Sequence, residues 1–315
     1  MGKTRSARHV FATLLTVAPL VLLASGCGKS EVVNVDGSST VFLVSAAVAE
    51  QLREVNPDVN VVVSQSGTGG GFKKFAAGEI DVCDASREIT AEEAAACKKA
   101  GVEFEMFEIA FDGLAVLVNP ANDWCDTITV DQLKTIWRPE SAETVQKWSD
   151  VNPDWPDEEF KLYGPGTDSG TYDYFTEVVN GKSKSSRQDY SPSENDNALV
   201  TGVAGDKGAL GYFGLAYYEE NKDKLKLLAV DAGDGAVKPT AETVRDGTYK
   251  PLSRPLFIYL RKSSLEKPGV KTFVEYYLKN AGIVAPQVGY VAVTDEIAEA
   301  NQKKFAAVSG TASAK

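Results

Sequence analysis

Three times along this chain a short apolar run ends in a turn built from glycine and hydroxyl side chains, and a helical face begins at once. Val32 to Val35 runs into Asp36-Gly37-Ser38-Ser39-Thr40, after which Val41, Val44, Val48, Leu52 and Val55 recur at steps of three and four. Val59 to Val63 runs into Ser64-Gln65-Ser66-Gly67-Thr68-Gly69-Gly70-Gly71, then a helix carrying Phe72 and Phe75. Phe160 to Tyr163 runs into Gly164-Pro165-Gly166-Thr167-Asp168-Ser169-Gly170-Thr171, then a helix that stops near Asn180-Gly181. A strand that leads straight into a helix cannot turn back on itself as a hairpin. The alternation therefore predicts an α/β architecture with mostly parallel sheets.

The rest of the chain follows the same grammar. Thr90 with Glu93 forms a capping box that opens an Ala-rich helix ending near Gly101. Phe104 to Val118 is a long apolar, strand-rich stretch, and Leu256 to Leu260 is a late return strand. Between them lie a helix from Thr129, a polar loop over 138–159, a helix over 197–202 and strands at 209–213 and 225–230. Helices over 269–279 and 294–308 close the chain. Together, the long stretch and the late return predict two lobes joined by two crossing segments, which suits 315 residues of which 43% are hydrophobic. There is no internal repeat.

The N-terminus narrows the chemistry. Lys3, Arg5 and Arg8 precede an apolar stretch over 10–23, then Ala24-Ser25-Gly26-Cys27. This reads as an export signal over 1–26, and Leu22-Leu23-Ala24-Ser25-Gly26-Cys27 resembles a bacterial lipobox, with Cys27 as the lipidated first mature residue. Residues 27–31 would be its tether, and the membrane would be met only through the lipid. Removing 1–26 takes three basic side chains from 33, leaving 30 against 44 acidic, a balance of −14. It also removes His9, the only histidine. A histidine-based nucleophile and the usual zinc site are then excluded, and so acidic a chain is a poor candidate for sequence-independent nucleic-acid binding. No cofactor and no metal are expected. Cys83, Cys97 and Cys125 match no metal spacing; in an oxidising compartment a Cys83–Cys97 disulfide is favoured, with Cys97–Cys125 open as the alternative.

The three loops suit an anion. A helix N-terminus leaves N–H groups unpaired and carries partial positive charge, glycine lets the backbone approach closely, and Ser and Thr add donors. Taken singly, each is also an ordinary N-cap; three in one exported chain point to a small anion. Nucleotide motifs fail, since neither GxGxxG nor GxxxxGK[ST] is complete. Arg87 is the one basic residue inside a loop of this kind. It either neutralises an oxyanion or makes a surface ion pair with Glu88 or Glu92.

The ordered set Asp36-Gly37-Ser38-Ser39-Thr40-Val41, Ser66-Gly67-Thr68-Gly69-Gly70-Gly71-Phe72, Asp84-Ala85-Ser86-Arg87, Gly164 to Thr171 and Gly205 to Gly214 resembles the phosphate-binding lipoproteins of the bacterial high-affinity phosphate ABC transporter. That resemblance implies a type II periplasmic-binding-protein fold, with mixed sheets flanked by helices and two crossing segments as hinge. Lobe I would comprise 32–117 and 257–308, lobe II 118–256, and 309–315 a disordered tail. Inorganic phosphate would be held by Ser39, Thr40, Ser66, Thr68, Gly69, Arg87, Ser169, Gly170 and Thr171. A monomer in the periplasm or on the cell surface would deliver it to membrane permease subunits without catalysis. The enteric branch has an aspartate where this chain has Arg87, and an arginine where it has Pro165. The carboxylate that accepts the ligand's proton would then be Asp84 or Asp112. The same fold could bind sulfate or another oxyanion, or serve as a phosphate-sensing lipoprotein.

Overall fold

The computed structural model describes residues 1–2 and 32–310. Apart from the first two residues, the expected signal, Cys27 and the tether lie outside the described residues, as do 311–315 of the expected tail. The chain opens β1 (Val32–Gly37), α1 (Ser39–Val55), β2 (Asn60–Val63), α2 (Thr68–Ala77), β3 (Val82–Ala85), α3 (Ala91–Lys99) and the long β4 (Phe104–Val118). It continues through β5 (Thr127–Thr129), α4 (Val130–Trp137), β6 (Lys161–Gly164), α5 (Gly170–Asn180), β7 (Ser191–Pro192), α6 (Asp196–Gly205), β8 (Ala209–Gly214) and α7 (Leu215–Glu220). Then come β9 (Lys226–Leu227), β10 (Ala229–Asp231), β11 (Ala236–Val237) and α8 (Ala241–Arg245), before β12 (Ser253–Arg261), α9 (Pro268–Gln287), β13 (Val291–Ala292) and α10 (Asp295–Val308).

One sheet runs β2-β1-β3-β12-β4-β8-β6-β7. Its outer pairs are parallel, as the alternation predicts, but β12 is antiparallel to both β3 and β4, and β8 is antiparallel to β4. The sheet is therefore mixed. The antiparallel pairs all involve β4 or β12, the two long strands, and each joins strands separated by a long stretch of chain rather than by one crossover helix.

The strand β4 serves two cores. Its first part pairs with β12 from Phe104 to Gly113, and its last part pairs with β8 from Leu114 to Val118. Phe107, Ile109 and Ala110 pack with Val35, Val41, Val44 and Phe273, whereas Leu114 to Val118 pack with Leu133, Trp137 and Phe213. The predicted stripe on α1 is the buried one: Val41, Val44, Val48 and Leu52. By contrast, α9 runs eight residues past its predicted end at Lys279. Ala281, Val284 and Ala285 are buried there, and that burial offsets the roughly 1 kcal/mol that Gly282 costs inside a helix.

The expected Cys83–Cys97 disulfide is not formed. Both thiols are free and buried, as is Cys125. Residue spacing fixes the length of the loop but not where the Cβ vectors point. Cys83, on β3, lies beneath α2, so close that a Cβ on Gly71 would sit 2.9 Å from its sulfur. Burial also pushes the Cys125 thiol up to about 12. Protein lacking Cys27 should therefore leave Ellman's reagent unreacted when native and show three thiols when unfolded without reductant. One thiol after unfolding would restore a disulfide.

Candidate anion site

The first loop is anchored on β3. Gly37 has φ +145, and a Cβ there would lie 2.0 Å from the Asp84 carbonyl oxygen, so only glycine fits. The Ser38 N–H donates to that carbonyl at 2.9 Å, and Ser38 Oγ caps α1 by accepting from Val41 N–H at 3.4 Å. The second loop opens α2 through Gly67, φ +77, with no side-chain cap. Thr68 Oγ1 accepts the Ser86 N–H at 3.2 Å and lies 3.1 Å from the Ser86 hydroxyl. In the third, Ser169 Oγ caps α5 by accepting from Thr171 N–H at 3.2 Å. Three helix N-termini thus turn toward one cavity of about 420 Å³, whose walls include Ser39, Thr40, Thr68, Gly69, Ser86 and Gly170. Aligned N–H groups at helix starts favour negative charge there.

A cation completes the wall, and it is Arg254, at the start of β12. Its Nη2 donates to Thr40 Oγ1 at 2.9 Å. Its Nε and Nη2 both reach Asp112 Oδ2, at 3.3 and 3.2 Å, and its guanidinium carbon stacks 3.7 Å from the centre of the Tyr174 ring. Asp112 is fully buried on β4 and directly opposite Arg254 in the strand register. Burial pushes its carboxyl up and Arg254 pulls it back, with burial prevailing. The arginine is thus pre-oriented from three sides.

Arg87 also lines the cavity, but Glu93 holds it in a two-pronged pair, both distances 2.8 Å. That pair holds the Glu93 carboxyl down at about 2. The surface-pair alternative was right in kind and wrong in partner: Glu93 lies six residues on rather than one or five. With its charge already matched and its side chain 44% exposed, Arg87→Ala should weaken anion binding by less than about tenfold, measured by calorimetry. A hundredfold loss would make Arg87 a main ligand.

The cavity brings together Ser39, Thr40, Thr68, Gly69, Arg87 and Gly170. Ser169 and Thr171 line an adjoining cavity of about 320 Å³, which shares Ser39 and Gly170. Between the two, Gly170 is seated on Thr40, where a Cβ would lie 2.5 Å from Oγ1. Ser66 is not on the wall: its hydroxyl donates to Asp36 Oδ1 at 2.8 Å, and Asp36 also pairs with Lys74. Neither Asp84 nor Asp112 lines the cavity. Asp84 is buried on β3, where Ser45 donates to its Oδ1 at 2.9 Å, and lack of solvent pushes its carboxyl well up. Sequence reasoning missed Arg254, Ser86 and the pair Asp173 and Tyr174 on α5. The signal for the last pair was present, one turn beyond the Ser-Gly-Thr cap; for Arg254 there was only a basic residue opening the return strand.

Residues 24–281 match the model of the PBP superfamily domain. The chain belongs to this superfamily, in its PstS-type branch. Protein SphX of Synechococcus elongatus is 44% identical over 299 residues, 93% of this chain and 88% of that one. The phosphate-binding protein PstS of Staphylococcus saprophyticus is 39% identical over 293 residues, 92% and 89% of the two. The crystal structure of a possible phosphate binding protein from Planctomyces limnophilus superposes with a TM-score of 0.83 at 49% identity, covering 88% of this chain and 98% of that one. PstS-type proteins are the substrate-binding components of a transporter, not enzymes, and a mixed sheet flanked by helices is the fold this chain shares with them.

Proposed function

We propose that this protein captures inorganic phosphate in the cavity formed by the starts of α1, α2 and α5 and delivers it to the permease subunits of an ABC transporter outside the cytoplasm. The observation that carries the reading is Arg254, a cation held by buried Asp112 and aimed, with Thr40, into a cavity ringed by helix N-termini. Ser39, Thr40, Thr68, Gly69, Arg254, Ser169, Gly170 and Thr171 supply the donors in this reading. Residues 32–113 with 256–308 act as one lobe and 114–255 as the other, a few residues from the expected bounds because Leu114 to Leu117 pack in the second core and Leu256 in the first, with β4 and β12 as the hinge between them. The mature protein works as a monomer tethered through lipid on Cys27. Since its net charge repels anions, recognition rests on short-range donors, and affinity depends only weakly on ionic strength.

Calorimetry tests this on protein without residues 1–26, unfolded and refolded to strip carried-over ligand. Titration with phosphate should give one-to-one binding. No phosphate heat would overturn the reading.

A further inference from the structure

Tyr174 lines the anion cavity with nothing free to give an anion, because its one O–H donates to the Pro251 carbonyl at 2.6 Å. It is buried, and it stands on α5 one turn beyond Ser169-Gly170-Thr171. Its ring takes the other contact, the Arg254 guanidinium, whose carbon lies 3.7 Å from the ring centre. Pro251 and Arg254 belong to the same short segment at the entry to β12. One tyrosine thus grips that segment twice, by its hydroxyl and by its ring.

A guanidinium carries its N–H donors in its own plane, one on Nε and two on each Nη. In Arg254 the Nε donor goes to Asp112, and the two on Nη2 go to Asp112 and Thr40. Nη1 has no partner among the described residues, so its pair of N–H groups is what Arg254 has left for the cavity it lines. The three contacts already made fall on only two atoms, Asp112 Oδ2 and Thr40 Oγ1. Two points define an axis, about which the plane is still free to swing. The Tyr174 face removes that freedom, since a cation over an aromatic ring keeps its attraction only while it stays over the face. We propose that Tyr174 is a positioning residue for anion binding: its ring sets the plane of the Arg254 guanidinium so that Nη1 faces the bound oxyanion. This rests on the phosphate reading above and deepens it. The helix α5 then serves the site twice, with a donor loop at its start and, one turn on, the ring that aims the cation.

The test is calorimetry with inorganic phosphate on the refolded protein, with a thermal melt beside each titration. Tyr174→Leu removes the ring, and phosphate should bind about tenfold or more weakly. Tyr174→Phe keeps the ring and loses only the bond to Pro251, so it should bind within about threefold of the unaltered protein even where its melt falls. The decisive comparison is a double-mutant cycle. In an Arg254→Met background there is no guanidinium left to aim, so Tyr174→Leu should cost less than about twofold. Tyr174→Met, longer and also without a ring, replaces the leucine variant in both backgrounds if leucine prevents folding. An equal loss in Tyr174→Phe and Tyr174→Leu overturns the inference, by assigning the effect to the hydroxyl. Unweakened binding in Tyr174→Leu overturns it, and so does a loss that is as large without Arg254 as with it, which would make Tyr174 a packing residue of the wall. Absence of phosphate binding by the unaltered protein overturns the phosphate reading itself.

Discussion

Arg254→Met is expected to weaken phosphate binding by roughly a hundredfold to a thousandfold and to destabilise the protein by about 3 kcal/mol. The two losses have different causes. The binding loss comes from removing a charge-assisted donor beside Thr40. The stability loss comes from Asp112, which is fully buried with Oδ1 already unpartnered and which Arg254 alone pairs. Methionine fills much of the volume over Tyr174 but leaves that carboxylate uncompensated. The double variant Asp112→Asn with Arg254→Met separates the causes. It should recover most of the lost stability, because a neutral amide replaces the stranded charge, and recover none of the phosphate affinity. Thermal melts and calorimetry on the three proteins decide the matter. A double variant that regained phosphate affinity would show that Arg254 acts only as a strut for Asp112.

What the sequence revealed and what it hid divide along a physical line. The starts of α1, α2 and α5 were legible because a cap is a local event: Ser38, Gly67 and Ser169 act within three residues of themselves. The two crossing strands were legible because continuous apolar runs mark strands buried on both faces. Ser66 and Thr68 carry the same chemistry two residues apart, and only the fold sends one hydroxyl to Asp36 and the other to Ser86. Arg254 lies 142 positions from Asp112 and 214 from Thr40, so nothing near it in the chain marks it. What brings it to the site is the antiparallel register of β12 on β4, a non-local outcome that strand periodicity does not encode. The cysteines show the same limit from the other side: Cys83 and Cys97 share one buried cluster, yet both thiols are free, because neither spacing nor nearness fixes the Cβ geometry that a disulfide needs.

Gly170→Ala should abolish most phosphate binding, by more than about a hundredfold, and should lower stability as well. Alanine suits a helix better than glycine by up to about 1 kcal/mol, and Gly170 is the first residue of α5, so the helix itself loses nothing. The obstruction is outside it. A Cβ at 170 would lie 2.5 Å from Thr40 Oγ1 and 2.7 Å from both the Thr40 nitrogen and Cα. The hydroxyl could rotate away, but the backbone atoms cannot, and Thr40 is further held by the Tyr290 hydroxyl, which donates to its carbonyl at 3.0 Å. The starts of α1 and α5 must then move apart by a sizeable fraction of an ångström, and donors from the two loops no longer converge on one anion. It follows that Thr40→Ala should not rescue Gly170→Ala, because the Thr40 nitrogen and Cα remain. Calorimetry with a parallel melt reads both effects. Wild-type affinity in Gly170→Ala would mean that the two helix starts do not hold the same anion, and rescue by Thr40→Ala would mean that the closeness of the loops rests on a side chain rather than on the backbone.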